Sequence, residues 1–66
     1  MAAARQDRVL KGAAKALLAA VSALPDRQAL ERLTAWQAGE GPGLRRRALL
    51  AARIVLMRRL LAEPRP

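Results

Sequence analysis

The sequence predicts an all-α protein: a small three-helix unit, or a helical hairpin with a short middle helix, completed by self-association or a partner. Three observations lead there. Apolar residues recur at the helical spacing of about 3.6 residues. Pro25 and the run Gly39-Glu40-Gly41-Pro42-Gly43 cut the chain into three stretches, because proline cannot continue a helix and glycine admits backbone conformations that end one. Strand signals are missing: Val9, Val21, Ile54 and Val55 are the only β-branched aliphatic residues, and apolar and polar residues nowhere alternate over a strand-length window.

The first helix is expected over about residues 4–24. Val9, Leu10, Ala13, Leu17, Ala20, Val21 and Leu24 fall on one face, with Arg8, Lys11 and Lys15 opposite. Asp7 and Lys11 stand at the i, i+4 spacing that favours an ion pair. Gly12 lies on the polar side, where it costs about 1 kcal/mol of helix propensity.

The second helix is expected over about 26–38, opening at Pro25-Asp26 with a proline in the first turn and an acid near the positive end of the helix dipole. Its apolar face is Ala29, Leu30, Leu33 and Trp36, and Arg27 is spaced to pair with Glu31. Trp36, the sole aromatic residue, is read as a core plug.

The third helix is expected over about 43–62, after a linker at 39–43 and before a tail at 63–66. It carries two apolar faces. Leu44, Ala48, Ala51, Val55 and Ala62 make a narrow stripe of small residues, expected against the first helix. Leu49, Leu50, Ile54, Leu56, Met57, Leu60 and Leu61 make a broad arc left for the second helix, a second copy or a foreign partner. Arg45 and Arg59 run along one seam between the faces, Arg47 and Arg58 along the other. A surface helix ordinarily shows one apolar stripe, so two imply that one meets something besides its own chain.

Arg53 projects from the arc with apolar residues at its i−4, i−3, i+3 and i+4 positions. An unpaired guanidinium is too costly to bury. Three arrangements satisfy it: its head reaches water over the leucines, it pairs with Glu31, Glu40 or a foreign acid, or the arc faces outward and Arg53 meets a phosphate.

The 66 residues are expected to form a single domain with a thin core, since 16 of the apolar residues are alanine and, Met1 aside, 18 larger apolar side chains remain. With no cysteine and no histidine, disulfides and ordinary zinc sites are ruled out as staples. Eleven Arg and two Lys against two Asp and three Glu give a formal charge of +8. The excess is concentrated after residue 43, where seven bases face Glu63 alone. Such a segment attracts phosphate, anionic lipid or an acidic protein surface, and arginine suits bidentate contacts with the first and last.

Catalysis is not expected. The only hydroxyl side chains are Ser22 and Thr34, with no imidazole or thiol to activate them, and Asp26 and Glu31 occupy capping and pairing positions. The glycine run lacks the features of a phosphate-binding loop, so neither cofactor, metal nor small-molecule substrate is expected. Residues 1–23 loosely imitate an export signal, but Asp7 interrupts the basic region, and the longest uncharged run, Ala16 to Pro25, has ten residues against about 20 for a membrane span. The protein is therefore expected in the cytoplasm.

Leu24-Pro25-Asp26-Arg27-Gln28, with Leu30 following, resembles the run that opens the DNA-binding region 4 of bacterial sigma factors. In that family a turn and a recognition helix follow. Here the Gly-Pro-Gly linker and the two-faced third helix stand in their place, so the family's base-reading function does not carry over.

Two functions follow from this reading. The first is a non-catalytic interaction protein, an adaptor, co-chaperone or regulator, docking Leu49, Leu50, Arg53, Leu56, Met57 and Leu60 on a protein partner or its own copy. The second is sequence-independent nucleic-acid binding through Arg45, Arg46, Arg47, Arg53, Arg58 and Arg59. A third, lesser reading lays the basic amphipathic segment on an anionic membrane.

Overall fold

A computed structural model describes residues 2–62, and side-chain environments from Gln6 to Ala62. The chain forms α1 (Ala2–Ala20), α2 (Asp26–Ala38) and α3 (Leu44–Ala62), with no strand among the described residues. The expected tail at 63–66 lies outside the described residues.

The first helix ends four residues earlier than its periodicity predicted. Leu24 precedes Pro25 and is disfavoured in the α region by the proline ring. The chain tightens ahead of it: the Val21 amide is shared between the carbonyls of Leu17 and Leu18, Ser22 N–H bonds to Ala19, and Leu24 N–H bonds to Val21 at 3.0 Å. The Ser22 hydroxyl also donates to the Ala19 carbonyl, at 2.8 Å.

Pro25 stands at the N-cap of α2, one place before the expected first turn, and its carbonyl accepts the Ala29 amide at 2.8 Å. Asp26 is the first-turn acid, as expected. α2 closes with Gly39 in a right-handed conformation, its amide bonded to the Trp36 carbonyl. The linker then reaches α3 through Gly43, whose φ of +148° is open to glycine and strained for other residues. The Gly43 carbonyl accepts the Arg47 amide and starts α3.

α3 organises the molecule. It packs on both α1 and α2, which touch each other only marginally. The buried core is Ala14, Leu17 and Val21 from α1, Ala29 and Leu33 from α2, and Ala48, Leu49, Ala52 and Leu56 from α3. Leu10, Ala13, Leu18, Leu24, Leu30, Trp36 and Ala51 pack around it, so Trp36, expected as a core plug, lies partly buried at the edge of the core. Four of the nine buried residues are alanines, which let the helix backbones approach closely. The fold extends 46 × 25 × 17 Å. One side of α3 has no layer over it, since Leu50, Ile54, Met57 and Leu61 there are all exposed.

Two face assignments change. In α1 the inward line is Leu10, Ala13, Ala14, Leu17, Leu18 and Val21, and Val9, expected inside, is 53% exposed. Alanines nearly encircle this helix, so periodicity alone left its orientation loose. In α3 the buried seam runs between the two expected faces, taking Ala48 from the small stripe, Leu49 and Leu56 from the arc, and Ala52 from neither. Packing against two helices at once draws inward the sector that lies between them, and Leu44 and Val55 of the small stripe are left exposed.

Candidate interaction face

Opposite the buried seam, α3 presents Leu50, Ile54, Met57 and Leu61, which are 40, 46, 38 and 85% exposed. Their spacing is four, three, four, the alternation that keeps residues on one line of a helix. At about 100° per residue they span an arc of about 60°. With Leu44 and Val55, α3 holds six of the seven large apolar side chains exposed among the described residues.

The residues expected to bind a partner divide sharply. Leu50 and Met57 are on the exposed line. Leu49 and Leu56 are not available: they are 0 and 2% exposed and form the centre of the core. Leu60 is half-buried on the side of α3 facing inward. Arg53 is half-buried too, and it pairs with neither Glu31 nor Glu40. Its Nη1 donates to the side-chain oxygen of Gln37, a neutral partner on α2, and its Nε is buried with no hydrogen-bond partner among the described residues. Ile54 and Leu61 belong to the exposed line but were outside the expected set; the four-three-four spacing was the signal for them.

The arginines divide as well. Arg45 pairs with Glu40 at 3.3 Å and Arg59 with Asp26 at 3.7 Å, both partly exposed. With Arg53 on Gln37, three of the six expected anion-binding arginines are engaged within the chain. Arg46, Arg47 and Arg58 are exposed and have no ion pair among the described residues. At the helical period Arg46 borders the apolar line beside Met57, and Arg47 and Arg58 border it beside Ile54. The expected local pairs Asp7–Lys11 and Arg27–Glu31 are not formed; such exposed i, i+4 pairs are worth only a few tenths of a kcal/mol.

The chain matches no protein-family model, no curated protein and no solved structure.

An open cleft of about 440 Å³ between the helices is lined by residues including Leu18, Val21, Leu24 and Leu56, together with Lys15, Asp26 and Arg59. Asp26 and Arg59 neutralise each other there. Among the described residues no three side chains of metal-ligating type converge, and no helix is long and apolar enough to cross a membrane.

Proposed function

We propose that this chain is a small, basic, non-catalytic interaction protein that docks through the outer line of α3. One observation carries the reading: Leu50, Ile54, Met57 and Leu61 stand on one line of a helix already anchored on its other side by two neighbours. A soluble helix gains nothing by presenting such a line to water, and contiguous exposed apolar surface marks binding sites. The neighbours hold the line rigid before docking, which lowers the ordering cost of association.

Site-specific photo-crosslinking tests this. A benzophenone side chain at position 54 is expected to give a discrete protein adduct that survives nuclease, while the same group at the exposed position 32 of α2 gives none. No adduct at position 54, or one abolished by nuclease, overturns the reading.

Nucleic-acid binding is the second reading, supported by the free guanidinium groups of Arg46, Arg47 and Arg58. Three phosphate contacts on duplex DNA imply a log-log salt slope of about −2.7. α3 has no Asn or Gln to read adenine edges, so such binding would be driven by phosphate contacts, with arginine contacts to guanine as its one source of base preference.

A further inference from the structure

We infer that the occupant of the α3 line is a negatively charged amphipathic helix, one whose own apolar seam is bordered by Asp or Glu. The inference rests on the interaction reading and deepens it by fixing the chemistry of the partner. Three features choose this occupant over the others.

The first is the width of the line. An arc of about 60° is the narrow seam of a coiled-coil pairing, whereas lying on a lipid surface takes a broad apolar face of about 100° or more. Leu44 and Val55 do not widen it, because Arg47 and Arg58 lie between them and the line.

The second is the sign of the borders. In coiled-coil geometry Leu50, Ile54, Met57 and Leu61 take the two core positions, and Arg46 and Arg58 fall at the flanking positions whose charges select the partner. Arg47 extends the seam by one turn. These three arginines have no ion pair among the described residues, while Arg45 and Arg59, set around the helix from the line, are paired within the chain. Within α3, the arginines with no partner among the described residues are therefore the ones beside the line.

The third is the sequence of α3 itself. From Leu44 to Ala62 it contains six arginines and no acid, so pairing two copies along this line would set arginine borders against each other. Like charges facing across such a seam disfavour the pairing, and carboxylates there favour it.

The test uses the full-length protein and synthetic peptides of about three heptads, with leucine at the core positions and either glutamate or lysine at the flanking ones. Fluorescence anisotropy at about 50 mM salt is expected to show binding of the glutamate peptide, weakening as salt rises, and none of the lysine peptide. Ile54→Glu, on an exposed position that leaves helicity unchanged by circular dichroism, is expected to weaken binding at least about tenfold. Converting Arg46, Arg47 and Arg58 together to Glu is expected to switch the preference to the lysine peptide. Equal binding of both peptides overturns the inference. So does self-association in sedimentation that Ile54→Glu abolishes, or capture by anionic vesicles in preference to the glutamate peptide. A position-54 protein adduct alongside failure with the glutamate peptide would retain the interaction reading and reject the acidic helix. Absence of both would reject the two together.

Discussion

Arg53 of α3 donates from Nη1 to the side-chain oxygen of Gln37 on α2, a cross-helix bond placed beside the core without a formal counter-charge. The bond answers the demand that a half-buried guanidinium makes on its surroundings, and its cost emerges when one partner is removed. Gln37→Leu is expected to destabilise by about 1–3 kcal/mol, because it strands the guanidinium. The double replacement Gln37→Leu with Arg53→Leu is expected to recover most of that loss. Chemical denaturation of the four-member cycle measures it; a double variant as unstable as Gln37→Leu would contradict the assignment.

The buried seam and the outer line of α3 predict opposite responses to the same truncation. Leu56→Ala removes a core side chain and is expected to cost about 2–5 kcal/mol, a large share of the stability of so small a domain. Leu61→Ala, at a site 85% exposed, is expected to stay within about 0.5 kcal/mol. Thermal melts followed by circular dichroism separate them, since about 1 kcal/mol shifts the midpoint by about 4–8 °C at this size.

Ala52 occupies a fully buried position where α3 approaches its neighbours. Ala52→Leu is expected to destabilise by about 1–3 kcal/mol through overpacking, although leucine has nearly the helix propensity of alanine. A denaturation midpoint equal to that of the parent chain would show the packing there to be loose.

Two glycines have opposite roles. Gly12 sits exposed inside α1 with nothing within 4 Å of a would-be Cβ, so Gly12→Ala is expected to stabilise by about 0.5–1 kcal/mol. Gly43 has equal space but a φ of +148°, so Gly43→Ala is expected to cost about 1–3 kcal/mol. Parallel melts of the two variants check the sign of each.

Asp26 serves both as the first-turn acid of α2 and as the partner of Arg59. Arg59→Ala is expected to cost at most about 1 kcal/mol, since the pair is long and its arginine largely exposed. Asp26→Ala is expected to cost more, because the interaction with the helix dipole is lost as well. Urea midpoints of both variants at low salt decide the order.

Much of the fold was legible in the chain. Pro25 ends a helix through its ring and the glycine run at 39–43 through its backbone freedom, both local effects, so α2 and α3 lie within a residue of their expected bounds. The inward face of α2 was legible for a related reason: Leu33 and Trp36 stand among polar residues, leaving one way to bury them. The ends of α1 and the faces of α1 and α3 were not. Where alanine and leucine nearly surround a helix, rotating it changes little in the hydrophobic pattern, and close packing against neighbours selects the orientation.

The candidate face shows the same division. Composition and spacing determined that α3 carries more apolar surface than its chain buries, that arginines border it, and that the groups needed for nucleophilic catalysis are scarce. The pairing of α3 with two helices decided which leucines are core and which remain outside, withdrawing Leu49 and Leu56 and leaving Leu50 and Met57 in line with Ile54 and Leu61. It also decided which arginines are free, because Gln37 and Asp26 come within reach of Arg53 and Arg59 only once the helices have folded back on one another, while Glu40 meets Arg45 locally across the linker. A one-dimensional pattern specifies how much of each chemistry a helix displays. Which part of that display remains accessible is a property of its neighbours.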